Sequence, residues 1–227
     1  MSASRFLIAF LIGAFFLTPA FAASDREDDI QRIDNSAEVL QEIMSTPDKA
    51  IPQKLLESAK CIAIIPGEKK AAFMFGGRYG KGLAICKTAQ GWSAPLFLTI
   101  GGGSFGFQIG ASSTDIVMLV MNDNGMKSLL SDRFKLGGDA SVAAGPVGRH
   151  VAADTDLKLT AEILTYSRSK GVFAGVSLDG AVVEADHSGD RSMYGADTSR
   201  QEILDGKVRV PRDAETLIRE VAQYTQA

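Results

Sequence analysis

The sequence is poor in the residues that build most metal and redox centres. Its 227 residues include two cysteines, two histidines and one tryptophan. So few sulfur and imidazole ligands exclude a structural zinc site of the usual spacing, and we expect neither metal nor cofactor. The cysteines, Cys61 and Cys86, both lie in apolar runs. They are therefore candidates for a disulfide in an oxidising compartment, with two buried thiols as the alternative.

Net charge is small, and long apolar runs are scarce. A formal charge of −3 argues against a general nucleic-acid binder. The one long apolar run, Phe6–Leu17, is too short for an ordinary transmembrane helix. It follows Arg5 and precedes the small-x-small pattern Ala20-Phe21-Ala22. Residues 1–22 are thus predicted to be a signal peptide, with an uncleaved anchor as the alternative, and the mature protein is expected in the periplasm or outside the cell.

Helical spacing is confined mostly to the two ends of the chain. Residues 23–50 are predicted to be an N-terminal helical segment, because apolar residues recur at helical spacing before Pro47. Pro52 is placed to begin a second, short helix. Near the C-terminus, Thr198 or Ser199 is a candidate cap, and Pro211 begins the last helix. The predicted helices cover about 30–44, 52–59, 126–130, 200–204 and 211–222.

Short strands fill the region between these helices. Asp179-Gly180 separates two apolar runs, which predicts a hairpin between 172–178 and 181–185. Because no strand alternates with a long helix, a parallel doubly wound sheet is improbable. We expect an α+β fold, predominantly antiparallel β, as a sandwich or partly closed barrel with N-terminal and C-terminal helices packed on it. The predicted strands are 61–65, 71–75, 82–87, 92–100, 105–110, 115–121, 136–144, 147–153, 159–166, 172–178 and 181–185.

Positive charge is concentrated in one block. Between Lys49 and Lys87 lie eight cations and two acids, a net of +6 within an acidic protein. An anionic partner is one interpretation, and solvated lysines scattered over several faces are the other. The glycine-rich stretch 76–82 carries Arg78 and Lys81. The arginine guanidinium can donate two hydrogen bonds to one phosphate, and the lysine ammonium can bind phosphate as a point charge.

Two glycine motifs resemble catalytic ones. Gly101-x-Gly103-x-x-Gly106 matches a dinucleotide fingerprint, and Ser104 sits in a G-x-S-x-G pattern. Both motifs need a helix immediately afterwards, whereas the following residues favour strands. A glycine-rich bend between strands therefore accounts for both motif matches. The acidic group around His187 is interpreted as a solvated turn rather than a metal site.

Two stretches resemble the SYLF domain family. One is YSRSKGVFAGVSLDG at 166–180, and the other is GGGSFGFQIG at 101–110, followed by STDIV at 113–117. The resemblance covers roughly 51–224, so residues 51–227 are predicted to form a SYLF-like lipid-binding domain. It implies binding of phosphoinositides and membranes through basic residues and an amphipathic helix near the start of the domain.

Carried onto this sequence, the resemblance implies a basic, membrane-facing surface around the helix 52–59. Arg78 and Lys81 are added on charge alone. The expected lipid-binding residues are Lys54, Lys60, Lys69, Lys70, Arg78 and Lys81, and the expected membrane contacts are Leu55 and Leu56.

The predicted function is therefore an exported, non-catalytic protein that recognises anionic phospholipid at a membrane surface. Yeast members of the family bind actin, but the predicted signal peptide would separate this chain from actin, and no SH3 or FYVE module is visible. One alternative is a cell-envelope structural or interaction protein. A serine hydrolase at Ser104, with partners such as Asp123 and His150 or His187, is the other.

Overall fold

The computed structural model describes residues 20–45, 50–73, 75–105, 110–147, 160–169 and 172–225. Side chains are described for these residues except 20–24, 70–76 and 104–112. The predicted signal peptide lies almost wholly outside the described residues. Within them, no helix is both long and apolar enough to cross a membrane.

Helices flank the sheet region at both ends of the chain. The helix that begins at Arg200 matches its sequence signal. Ser199 caps its helix through a reciprocal capping box with Glu202, and Gly206 follows with φ +71°. The helices are α1 (Ala20–Met44), α2 (Gln53–Ser58), α3 (Asp123–Leu130), α4 (His187–Tyr194), α5 (Arg200–Leu204), a 3₁₀ turn (Arg212–Ala214) and α6 (Glu215–Thr225).

In the part of the chain that the structure describes, a single ten-stranded sheet forms the centre of the fold. Its order is β6-β10-β4-β2-β1-β5-β8-β7, with β3 beside β2 and β9 beside β8. Every pair is antiparallel except β7 with β8. The strands are β1 (Cys61–Phe73), β2 (Phe75–Thr88), β3 (Gly91–Trp92), β4 (Leu96–Phe105), β5 (Gly110–Val120), β6 (Arg133–Lys135), β7 (Val142–Ala144), β8 (Ile163–Ser169), β9 (Val172–Gly175) and β10 (Val182–Ala185).

Both faces of the central strands are buried. On one face Ile62, Ile64 and Leu83 pack beneath α1, α2 and α6. On the other, alternate residues such as Ala63 and Ile65 pack against α3 and α5. The prediction of a mainly antiparallel α+β fold with helices at both ends is confirmed, in the form of one curled sheet.

Several local predictions were wrong, and tertiary pairing explains them. The predicted strand 61–65 and residues 71–73 of the predicted strand 71–75 belong to one 13-residue strand, because a bulge carries β1 through Pro66-Gly67, whereas Phe75 begins β2. The Asp179-Gly180 turn exists but does not close a hairpin. β9 pairs with β8, whereas β10 crosses to pair with β4 and β6. Residues around His187 form α4, and Asp186 caps it, so they are not a solvated turn.

Cys61 and Cys86 are direct partners across β1 and β2. Their sulfur atoms are 2.01 Å apart, which is a disulfide bond, and both residues are fully buried. The bond joins the two central strands at the start of β1, which follows soon after the end of α2.

Candidate anionic-ligand cleft

A bulge in β1 decides which side chains face α1. Ile64 pairs with Leu83, but Lys69 pairs with Tyr79, so β1 contains one extra residue between them. One inserted residue moves every later side chain to the opposite face. Gly67 adopts φ +62° in the bulge, and its N–H donates to Asp115 at 2.9 Å. The bulge therefore turns Lys69 towards the α1 side of the sheet.

Glycines on β2 make room for this bulge. A Cβ atom on Gly82 would lie 2.3 Å from the carbonyl oxygen of Ile64, and one on Gly80 would lie 2.6 Å from Ile65. Both distances are shorter than real contacts allow. The glycine-rich stretch therefore serves the close approach of β2 to β1.

A cleft of about 460 Å³ opens between α1 and the bulged part of the β1–β2 pair. Lys69, Tyr79 and Lys81 share the α1 face because Lys69 and Tyr79 are partners and Lys81 is two residues farther on. Both lysines are exposed, and neither forms an ion pair within the described residues. The cleft is lined by Asp28, Gln31, Arg32, Asn35, Pro66, Gly67, Lys69, Tyr79, Gly80 and Lys81.

Arg78 does not contribute its charge to this cleft. As the neighbour of Tyr79 it lies on the opposite face of β2, where its Nε is 3.6 Å from a carboxylate oxygen of the fully buried Glu68. Its side chain is only 15% exposed. An arginine held this way is compensated, so this geometry does not support its predicted binding of phosphate beside Lys81, which stays a prediction.

Lys54 and Lys60 do not join Lys69 and Lys81. Lys60 precedes β1 and pairs with Asp123 at 2.6 Å, which lowers the pKa of Asp123. Lys54 is exposed on α2. Nine residues of strand separate Lys60 from Lys69, or about 30 Å. The single basic patch predicted from the sequence is thus divided, and the side chain of Lys70 lies outside the described residues.

Leu55 and Leu56 are core residues. They are 5% and 0% exposed and belong to the cluster between the helices and the sheet. A leucine in this position cannot reach a membrane unless α2 unfolds. The predicted membrane contact by these two residues therefore has no exposed surface to support it in this structure.

Ser104 lies in β4, with its backbone opposite Gly76 of β2. The next described element is strand β5, not the helix that a nucleophile elbow requires. His150, one of its candidate partners, lies outside the described residues. His187 instead accompanies Asp132 at 3.0 Å in a surface pair.

A buried ionic cluster holds α1 beside the cleft. Arg32 bonds Asp29 and Asp186, each at 2.9 Å, and lies over the ring of Phe97. Its guanidinium also donates to the carbonyl of Gly82 at 3.4 Å. The cluster therefore connects α1 to β2, β4 and the cap of α4.

The pKa values of the two carboxylates in this cluster are shifted in opposite directions. Burial raises the pKa of Asp29, and the hydrogen bond from Ser192 and the charge of Arg32 offset only part of it. Burial by itself would also raise the pKa of Asp186. There, however, hydrogen bonds from Ser188, Gly189 and Arg32 outweigh it and hold the pKa below its usual value.

Sequence reasoning missed the α1 wall of the cleft. Asp29, Arg32 and Ser36 recur at helical spacing, which could have placed them on one buried line of α1. Tyr79 lies in the glycine-rich stretch 76–82, whose sequence points only to Arg78 and Lys81 as phosphate ligands. Its exposure, 54%, follows from its pairing with Lys69 beyond the bulge, and no local signal specifies that pairing.

Comparison with known proteins identifies the relatives of this chain. A family model described as "Ysc84: Las17-binding protein actin regulator" matches residues 101–224. The chain is 36% identical to Protein YSC84 of Saccharomyces cerevisiae over 176 residues, which cover 76% of this chain and 37% of the yeast protein. It is 34% identical to the human SH3 domain-containing YSC84-like protein 1 over 182 residues, 79% of this chain and 53% of that protein.

A further yeast relative, LAS seventeen-binding protein 3, is 36% identical over 176 residues, 76% of this chain and 38% of its own length. The chain thus spans about half or less of the length of these relatives. Because the family model covers more than half of the chain, the family is established, and it agrees with the SYLF resemblance of the sequence. The chain belongs to the Ysc84 family.

Proposed function

We propose that this protein binds anionic phospholipid at a membrane surface, with the headgroup phosphate in the cleft between α1 and the β1–β2 pair. The observation that carries the proposal is the pair Lys69 and Lys81, two exposed lysines on one face without ion pairs within the described residues. Gln31 and Asn35 line the same cleft from α1 and offer amide N–H donors.

The electrostatics favour weak, reversible binding. Each cation near an anionic surface contributes about 1 kcal/mol, and salt screens that contribution. The internally compensated Arg32 adds little, because Asp29 and Asp186 already neutralise it. Two free lysines therefore supply about 2 kcal/mol.

Tyr79 suits the same role. Tyrosine combines an apolar ring with a polar hydroxyl, and it is enriched where membrane meets water. With 54% of its surface exposed between Lys69 and Lys81, it can enter the headgroup layer while the lysines meet phosphate. This assignment replaces Leu55 and Leu56 as the apolar contact beside the basic residues.

We further propose that the protein is exported and acts without catalysis. The apolar segment 6–17 and the Ala-x-Ala pattern support export, as does the Cys61–Cys86 disulfide, which persists in oxidising compartments. The family is described as a Las17-binding actin regulator, and one yeast relative is named LAS seventeen-binding protein 3. An exported member would meet lipid rather than actin.

Flotation with lipid vesicles tests the proposal. The full chain should float with vesicles containing anionic phospholipid and remain unbound with purely zwitterionic vesicles. Raising the salt concentration from about 0.1 M to 1 M shortens the Debye length from about 10 to 3 Å and should abolish binding. Equal flotation with both vesicle types would contradict the proposal, because binding would then not depend on the charge of the lipid.

A further inference from the structure

A second groove lies at the other end of β2, where the turn into β3 meets α6. It encloses about 550 Å³ and is lined by residues from the β2–β3 turn, by Val210 and by residues from α6. We name it the tryptophan groove, because Trp92 forms part of its wall. Six residues of strand, or about 20 Å, separate its Lys87 from Lys81 of the cleft. The two sites are therefore distinct.

The walls of the tryptophan groove are mostly apolar. Ile218 and Ala222 lie one turn apart on α6, and Thr225 follows on the same face. These three residues extend about 10 Å along the helix. Val210 and the indole of Trp92 continue the apolar surface, and both pack against the core while remaining partly exposed. The groove therefore offers an elongated apolar stripe to a ligand from solvent.

The indole ring is fixed before any ligand arrives. Trp92 Nε1 donates a hydrogen bond to Thr225 Oγ1 at 3.3 Å, and Thr225 Oγ1 donates to the carbonyl of Val221 at 2.7 Å. The ammonium of Lys87 lies 5.5 Å from the centroid of the indole. Because these contacts already hold the ring, little side-chain ordering opposes binding in the groove.

A single cation lies at the rim of this apolar surface. Among the described residues that line the groove, Lys87 alone is charged. Its ammonium donates to the backbone carbonyl of Glu57, and it forms no ion pair within the part of the chain that the structure describes. Partial burial lowers the pKa of Lys87, and the charge of Glu57 offsets only part of that effect. An anion bound at Lys87 would therefore compensate a charge that the fold leaves without an ion-pair partner.

We infer that the tryptophan groove binds the anion of a long-chain fatty acid, with its carboxylate at Lys87 and its chain along α6. One cation and one apolar stripe match a ligand with one negative charge and one chain. The volume of about 550 Å³ also lies within the range of about 300–1,000 Å³ that is typical of small-molecule sites. This site goes beyond the proposed function, because neither Lys69 nor Lys81 contributes to it.

Charge complementarity favours a fatty acid over a second copy of the chain in this groove. A two-fold contact through the groove would bring Lys87 of one copy towards Lys87 of the other. Like charges in contact disfavour such a dimer, whereas a carboxylate neutralises the ammonium.

Fluorescence of the natural tryptophan tests the inference directly. Trp92 is the only tryptophan in the sequence, and it forms part of the groove wall. Titrating the full chain with ω-bromoundecanoate, below the concentration at which it forms micelles, should quench Trp92 saturably. Undecanoate should displace the quencher. Undecanol has the same chain without the charge and should compete at least about tenfold more weakly.

Two variants locate the ligand. Lys87→Gln removes the partner of the carboxylate, and Ala222→Leu fills the apolar stripe, so each should weaken the affinity at least about tenfold. Affinity is taken from the concentration dependence of quenching, because Lys87→Gln also changes the surroundings of the indole. Lys69→Gln with Lys81→Gln is the matched control and should bind the fatty acid within about twofold of wild type. Equal thermal unfolding midpoints verify that the variants fold.

Several results would overturn the inference. Quenching of the wild-type chain without saturation, or equal competition by undecanol and undecanoate, would do so without any variant. Equal affinities for wild type, Lys87→Gln and Ala222→Leu would show that the ligand does not lie in the groove. A loss of affinity confined to the Lys69→Gln, Lys81→Gln chain would place the fatty acid in the cleft instead. An emission shift that depends on protein concentration in the absence of ligand would assign the groove to self-association.

Discussion

At the scale of single residues, the role of a side chain depends on which face its backbone position selects. Lys69 and Arg78 were equivalent candidates in the sequence. The extra residue in β1 places Lys69 in the cleft. Arg78 lies on the opposite face and forms an ion pair with the buried Glu68. Leu55 and Leu56 likewise suggested a membrane contact on an amphipathic helix, but both are buried.

Replacing Leu56 tests its assignment to the core. Leu56→Ala should lower the free energy of unfolding by about 3 kcal/mol, because it removes a fully buried side chain and leaves a cavity. Urea unfolding measures this change. Lys54→Ala on the same helix is the control and should change stability by no more than about 0.5 kcal/mol. A large loss of vesicle binding by folded Leu56→Ala, with little loss of stability, would restore the membrane role.

At the scale of elements, the cleft exists because α1 is fixed over the bulged strands. Apolar residues such as Ile33 and Leu40 pack on the sheet, and the Asp29–Arg32–Asp186 cluster fixes the helix to β2 and α4. Breaking a buried ion pair typically costs about 3–5 kcal/mol, because a charge is left without its partner. We therefore expect the cluster to define the width of the cleft as well as the stability of α1.

The pH dependence of two variants tests this cluster. The folded-state pKa of Asp186 is lowered, so its contribution is present above the unfolded-state value of about 3.9 and lost as the pH falls. Asp186→Asn should thus be about 3 kcal/mol less stable than wild type at pH 7, and the difference should shrink below about pH 4.

Asp29→Asn is the matched control with the opposite trend. Because the folded-state pKa of Asp29 is raised, its contribution is greatest at low pH and is lost as the pH rises through the folded value. The variant should therefore gain stability relative to wild type as the pH rises. Chemical denaturation between pH 3 and pH 7 measures both trends, and parallel pH profiles for the two variants would contradict the assigned roles.

At the scale of the whole molecule, patterns with local causes were predictable. Helix caps at Ser199 and Pro52, the apolar spacing of α1 and the strand-rich centre together gave the α+β class. What local patterns could not specify was long-range pairing. The Asp179-Gly180 turn leads to a strand that pairs with β4, and the bulge at Gly67 depends on contacts with β2 and β5. The cleft lies at the bulge, so its composition required the structure.

The disulfide supports a prediction about stability and compartment. Cys61 and Cys86 are 25 residues apart, and closing a loop of this length is expected to contribute about 3 kcal/mol. Cys61→Ser with Cys86→Ser should therefore unfold at lower urea concentration than the oxidised wild type. Thiol trapping of the native protein from its own cells should find no free cysteine. Fully reduced cysteines there would contradict export.

The central claim is that the two lysines of the cleft recognise lipid phosphate, and a comparison of two double variants tests it most directly. Lys69→Gln with Lys81→Gln removes about 2 kcal/mol of attraction, so affinity for anionic vesicles should fall about thirtyfold. Lys127→Gln with Lys135→Gln removes the same charge from exposed positions on α3 and β6, outside the cleft lining. It should weaken binding less than about threefold. Equal losses for the two variants would show that only net charge matters, and the account would fail.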